Sequence, residues 1–386
     1  MLSKSTAVNV AAMLIGLAAG LALPGSPGTV VLATLVGMSV GRTQQGATWP
    51  DRLTGLAVVP LVAAGAGALS GLLVGRFAVL GSAILVLALS ATVWVRRFGP
   101  RATKLGTLAT LPMLSVLFAP AGNPLWTALA AAVVFALVSG LLVLSRLPAP
   151  PRGKSSAAVS MKMAVQLAAA LTAAFAAGRL LWPEHWQWVV LTAFIVCSGN
   201  RGRGDVLHKS ALRMLGAATG TLAATGLFAL VTPSGPACVA VILLVLVAGI
   251  VLRPVSYAYW AGCVTAAMAL LLGLLGQDAT ELLFTRLAAI AVGGVLGVAA
   301  SWLILPVRSR DVARARIAQA RRAIDSGDEP AARHAIAQLD LIAPAFNAHR
   351  RLHRLLPGSR RDKRFLADTF DELRAEFSRV GHAGSH

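Results

Sequence analysis

The sequence predicts an all-α polytopic membrane protein, with about twelve transmembrane helices in two parallel six-helix repeats and a C-terminal cytoplasmic helical tail. Three observations carry that expectation. The first is composition. Of 386 residues, 56% are hydrophobic and 13% charged, whereas a soluble domain carries about 25% charged residues. Too little polar surface exists to coat a water-soluble globule. The second is the run structure. Continuous apolar segments approaching the about 20 residues of a spanning helix recur up to Pro306, and they do not alternate in period two as barrel strands would. The third is the placement of acids. Asp51, Glu184, Asp205, Asp278 and Glu281 precede Pro306, and the other ten of the fifteen follow it. The chain divides there into a lipid-embedded body and a polar tail.

Taken in order, the apolar runs of the body are 7–24, 28–41, 53–75, 77–95, 105–120 and 125–144. A charged, Pro-rich segment, SRLPAPPRGKSSAAVSMK, interrupts them. They restart at 163–181, 186–198, 214–231, 236–252, 257–275 and 282–305. This divides the chain into a first membrane repeat (1–145), a cytoplasmic linker (146–162), a second membrane repeat (163–306) and the tail (307–386). Loop charge agrees. With Lys4 inside, alternate loops hold Arg42 and Arg52; Arg96, Arg97, Arg101 and Lys104; Arg146, Arg152, Lys154 and Lys162; Arg201, Arg203, Lys209 and Arg213; and Arg253. The opposite loops hold only Arg76 and Arg179. Cytoplasmic loops concentrate Lys and Arg, so this asymmetry predicts a plasma (inner) membrane protein with both termini cytoplasmic. It also accounts for the net charge of +20 without nucleic acid. A cleaved signal peptide is the rival reading of the first run.

The halves share a layout. In each, the second run is the shortest, about 20 Å as helix against roughly 30 Å of hydrocarbon. In each, an Arg- and Gly-containing loop with one Asp follows, GRTQQGATWPDRLTG and GNRGRGDVLHKSALRMLG. Paired short segments at matching places point to a transport site. The pairs Gly16–Gly20, Gly67–Gly71, Gly216–Gly220 and Gly293–Gly297 all read G-x-x-x-G. These are expected to let helices approach closely within the chain, with a homodimer seam as the alternative.

The stretch WVVLTAFIV, its Gly/Asp loop and the following R-x-x-G-x-x-x-G of Arg213, Gly216 and Gly220 resemble the fusaric-acid-resistance-like (FUSC) family of aromatic acid exporters. The last run, TRLAAIAVGGVLGVAASWLILP, with Arg286 near its start and Pro306 at its exit, is similar to that family's last span. Ala217 stands where members often carry threonine. The resemblance implies membrane blocks of about six helices, a helical cytoplasmic region, and export of aromatic acids coupled to protons. It extends to plant aluminium-activated malate transporters, which are anion channels.

Individual residues sharpen these expectations. Trp186 and Trp188 open a span, as interfacial anchors or as a stacking wall for an aromatic solute. Thr192, one turn on, bonds its own helix backbone or a carboxylate. Arg203 and Arg213, with Arg201 and Lys209, would ring a cytoplasmic mouth and attract carboxylates, which a guanidinium binds through both oxygens. Arg286 lies within an apolar run, where a charge is costly and faces a partner or a wet cavity. Asp278 and Glu281 are its candidate partners. Asp205 and Asp51 are expected to pair with Arg203 and Arg52. Asp205 with His208, three residues on, is also the candidate proton relay.

Cys197, Cys238 and Cys263 have no metal or disulfide spacing. Gly153-Lys154-Ser155 lacks the upstream Gly of a phosphate loop, and HRRLH at 349–353 lacks the Glu of a zinc hydrolase. No cofactor, metal or enzymatic activity is expected. The tail reads as amphipathic helices, with Val312, Ile317 and Ile324, then Ile336, Leu339 and Ile342, then Phe365, Leu366, Phe370, Leu373 and Phe377 at helical spacing. The expected function is a secondary exporter of small anionic, aromatic carboxylate compounds, with membrane lipids as its other partner. The alternatives are a passive anion channel, or an envelope scaffold acting through its tail.

Overall fold

The computed structural model describes residues 4–73, 76–117, 122–148, 157–198, 203–231, 235–253, 255–274, 279–305, 309–327, 329–340, 342–344, 346–347 and 366–383. Among these residues the secondary structure is helical, without strands. The body holds α1 (Lys4–Ala22), α2 (Pro27–Thr43), α3 (Trp49–Leu72), α4 (Ala78–Trp94), α5 (Pro100–Ser115) and α6 (Pro124–Ser145). It continues with α7 (Ala157–Leu181), α8 (Trp186–Cys197), α9 (Arg203–Val231), α10 (Gly235–Leu252), α11 (Tyr257–Leu274) and α12 (Ala279–Leu303). Proline in the first turn starts α2, α3, α5 and α6, where its missing N–H costs nothing. Arg146 ends α6 in the left-handed region, and Gly99 at φ 106° turns the chain from the 3-10 extension of α4 into α5.

Lipid is the solvent that these helices fit. Among the described residues six are long and apolar enough to cross a membrane: α1, α3, α4 with its extension, α6, the 159–181 part of α7 and the 284–303 part of α12. Large apolar side chains such as Leu61, Val79, Leu144, Leu180 and Leu303 face outward, while Thr29, Thr127 and Thr265 are fully buried. This inversion, an apolar coat over a core that includes hydroxyls, is that of an integral membrane protein.

Glycines set the helix contacts. A Cβ on Gly16 would lie 2.5 Å from the Ala33 carbonyl oxygen, and one on Gly37 2.3 Å from that of Ala12, so α1 and α2 touch backbone to backbone. Gly216 and Gly220 do the same for α9 against α11, meeting Ala258, Ala261 and Gly262. Gly293 and Gly297 seat α12 on Val189, Thr192 and Val196 of α8. Three of the four G-x-x-x-G pairs are therefore intrachain contacts; in the fourth, Gly67 meets α6 and Gly71 faces open space. Within residues 4–145, α1 packs on α2 and both pack on α6; α3 packs on α5 and α6, α4 on α5, and α2 also on α5. Within residues 157–303, α7 packs on α8 and both pack on α12; α9 packs on α11 and α12, and α10 on α11. The two groups meet along α4 and α7, and more thinly along α1 and α10. Arg179 ties the first seam by donating to the Leu73 carbonyl at 2.9 Å and to Ser82 Oγ at 3.2 Å.

Several expectations need correction. The helix of the second run spans 17 residues, because Pro27 starts it early and Arg42 and Thr43 prolong it, so α5, at 16, is the shortest of its group. The 12-residue α8 is short, about 18 Å. The end of the supposed linker is helical, since α7 begins at Ala157. Asp51 does not pair with Arg52. It pairs with Lys104 and, at 3.7 Å, with Arg101, while Arg52 donates to the Ser139 carbonyl at 2.8 Å. Beyond the body, α13 (Ser309–Asp325), α14 (Glu329–Asp340) and α15 (Leu366–Ala383) pack around their own core of Ala313, Ala320, Ile336, Leu339, Phe370 and Leu373. Arg374 of α15 donates to Asp340 of α14 at 2.7 Å. Phe365 lies outside the described residues.

Candidate functional site

Arg213 was expected on a loop. Instead α9 begins at Arg203 and runs unbroken through it, so Arg213 lies about 15 Å along the helix axis. Its side chain turns inward and is 5% exposed. Arg286 of α12 is 6% exposed and near enough to Arg213 for the two charges to repel. Two buried guanidiniums thus share one place. Among the described residues neither has a carboxylate partner; Asp278 lies outside those residues, as does the Glu281 side chain. Arg213 Nε and Arg286 Nη1 are buried without a hydrogen-bond partner.

Around them is a small cavity lined by Trp188, Leu191, Thr192, Arg213, Val264, Met268, Arg286 and Ile290. Its free space is about 20 Å³, room for water and too little for an aromatic ring. Glycines position the walls. Gly293, two turns after Arg286, lets α12 lie against Val189 and Thr192 of α8, and Gly294 approaches Ser210 of α9. The cations of α9 and α12 consequently meet at the start of α8. Thr192 is 1% exposed, and its Oγ1 has no partner. It does not bond its own helix backbone as expected, so its hydroxyl is available to the cavity.

Trp188 is buried rather than anchored at an interface. The His185 ring stacks on it at 4.4 Å between centroids, and the Arg286 guanidinium lies 5.6 Å from the indole centroid. A cation over an indole gains about 0.5–2 kcal/mol, which offsets only part of the cost of burying Arg286. Trp186 is elsewhere. Two residues earlier on the helix, it turns to α7, with its ring 5.2 Å from Phe175 and under the Arg179 guanidinium at 4.6 Å. The pair does not form one stacking wall.

The remaining sequence candidates lie away from the cavity. The expected pairing of Asp205 with Arg203 involves a side chain outside the described residues. Asp205 pairs with Lys209 at 2.9 Å, one turn along α9. This is the favoured i,i+4 geometry. His208 is half-buried beside it. Arg201 and the Arg203 side chain lie outside the described residues. Leu191, Val264, Met268 and Ile290 were missed as lining, because apolar residues in an apolar run carry no distinguishing signal.

This arrangement can bind an anion. Two desolvated guanidiniums and a hydroxyl supply donors that meet no acceptor among the described residues, and an indole supplies a flat apolar face. Residues 168–300, which hold every lining residue of the cavity, match the family model for fusaric acid resistance protein-like sequences. That match bears out the resemblance read from Trp186 to Gly220 and from the last span, and it points to a membrane transport or resistance role. Comparison with curated proteins and with solved structures gives no match.

Proposed function

Starting from a chain whose residues 168–300 are fusaric acid resistance protein-like, we propose that it is a secondary exporter of small aromatic carboxylates, with the carboxylate bound between Arg213 and Arg286. One observation carries this reading: two buried cations whose N–H groups have no acceptor among the described residues. Unpaired buried charge is costly, and an anion that neutralises both removes that cost. Trp188 would stack the ring, and Thr192 Oγ1 would donate to the second carboxylate oxygen. The cavity is too small for such a solute as it stands, which fits an occluded state that opens during transport. The lost hydration of the carboxylate is replaced by fixed donors.

The main helix contacts of α1–α6, apart from that of α2 with α5, recur in α7–α12 and support two parallel six-helix repeats about an axis along the membrane normal. So does the seam, where α4 with α7 mirrors α10 with α1. In this arrangement all twelve helices cross the plasma membrane, both termini are cytoplasmic, and the tail bundle hangs below the body. Export then runs from the side of Arg203 toward that of Trp186.

A second reading, passive anion conduction, is favoured by the Asp205–Lys209 ion pair. That pair engages the carboxylate proposed for proton coupling with His208. Flux of radiolabelled benzoate in proteoliposomes tests both. An exporter moves benzoate faster under a pH gradient and slows when Asp205→Asn is introduced; a channel ignores both changes. No flux across a broad panel of aromatic acids, or full flux in Arg213→Ala, contradicts both readings.

A further inference from the structure

A second cationic centre shares no residue with the cavity lining and lies where the two groups of helices meet along α1 and α10. Its core is apolar: Met13, Met38 and Ile250 are buried there, with Leu246, Val247 and Trp260 packed against them. Trp260, at the start of α11, reaches α10 because residue 249 is glycine. A Cβ at Gly249 would lie 3.2 Å from the indole ring. Four residues later on the same face, Arg253 sets its guanidinium 5.8 Å from the Trp260 ring centroid. Arg42, in the last turn of α2, approaches the same ring at 5.8 Å. One indole therefore carries two cations, one from each group of helices, and the two repel each other. Among the described residues neither has a carboxylate partner. Beside them the surface is greasy: Leu252 and Val255 flank Arg253, Tyr259 precedes Trp260, and Val255 is 74% exposed.

We propose that Arg42, Arg253 and Trp260 form a binding site for the phosphate of an anionic phospholipid, seated on the seam between the two groups of helices. Two guanidiniums from different helices match the oxygens of one phosphate. An indole is the side chain that settles at headgroup depth, and basic pockets between spanning helices hold anionic headgroups. The exposed apolar flank selects a lipid over a free phosphate, because acyl chains would lie along it. A bound phosphate replaces the repulsion between Arg42 and Arg253 with a shared bridge, so it holds the α1–α10 seam closed. The site rests on membrane insertion alone and is independent of the transport reading.

The test uses the full chain in nanodiscs of equal phosphatidylglycerol and phosphatidylcholine, with native mass spectrometry of the lipids retained on release. The wild type should retain phosphatidylglycerol preferentially. The R42Q/R253Q variant should hold it about thirtyfold less tightly, each cation near the surface contributing roughly fivefold. R101Q, which removes a charge whose side chain is 84% exposed, should change nothing. Equal retention of the two lipids by the wild type overturns the proposal, as does unchanged retention in R42Q/R253Q. Displacement of the lipid by an equal concentration of glycerol phosphate also overturns it, since the site would then recognise the free anion. If the double variant fails to assemble, the wild-type lipid preference and the single variants R42Q and R253Q decide the matter.

Discussion

Replacing Arg286 by Met should make the protein more stable and remove its anion site. Arg286 is 6% exposed, with Nη1 unpartnered and Arg213 repelling it. Burying an ion costs several kcal/mol after relaxation, and the Trp188 face at 5.6 Å returns at most about 2 kcal/mol. An unbranched thioether of similar length fills the space without either charge term. Replacement of buried ions by apolar residues of like volume is neutral or stabilising by about 1–4 kcal/mol, and the upper part of that range applies where no counter-ion was lost. The assay is thermal unfolding in detergent, with and without benzoate. The wild-type midpoint should rise with benzoate, by the equivalent of about 2.7 kcal/mol at one hundred times its dissociation constant. Arg286→Met should start higher and show no rise. If Arg286→Met instead unfolds earlier by more than about 1 kcal/mol and keeps the benzoate shift, the arginine serves a structural pair, as Glu281 could provide. The anion site would then be refuted.

Other expectations follow from single contacts. Thr192→Val removes only an Oγ1 that has no partner, so thermal stability should hold within about 0.5 kcal/mol while benzoate affinity by calorimetry falls about tenfold, one hydrogen bond to a charge. Gly220→Ala would place a Cβ 2.1 Å from the Gly262 carbonyl oxygen and should cost about 1–3 kcal/mol as α9 is pushed from α11. Gly226→Ala, on the same helix with nothing near it, should gain up to about 1 kcal/mol. Both are read as unfolding midpoints. Lys104→Met leaves the largely covered Asp51 carboxylate without its closest donor and should destabilise by about 1–3 kcal/mol. Arg101→Ala should change stability by less than about 0.5 kcal/mol because that side chain is exposed.

Much of the body was legible because lipid is a demanding solvent. A helix that meets hydrocarbon must be apolar over most of its length, and each expected run contains or overlaps one helix of the structure. The apolar runs missed the first residues of four helices, which start at or next to prolines for a local reason, the missing N–H. Arg286 and Thr192 were legible as polar groups inside apolar runs, whereas Arg213 was read as a loop charge and Trp188 as an aromatic opening a span. The error over Trp186 was avoidable. Positions two apart on a helix point about 200° from each other, so Trp186 and Trp188 could not share a wall. Likewise the i,i+4 spacing of Asp205 and Lys209 was enough to expect their ion pair.

By itself, then, the sequence determined that the chain is helical, lives in a bilayer, and sets a few polar side chains against an apolar background. Solvent and helical period are properties of each segment alone, and a segment's own residues reveal them. Only the tertiary structure decided that Arg213 and Arg286 face one cavity, that Asp51 meets Lys104 across two helices, and that Arg42 and Arg253 share the ring of Trp260. Those meetings depend on how far each helix is rotated and how closely it approaches its neighbour. Rotation and approach are set jointly by glycines on one helix and backbone on another, such as Gly293 against Val189 or Gly249 against Trp260, and no single stretch of sequence contains both sides of such a contact.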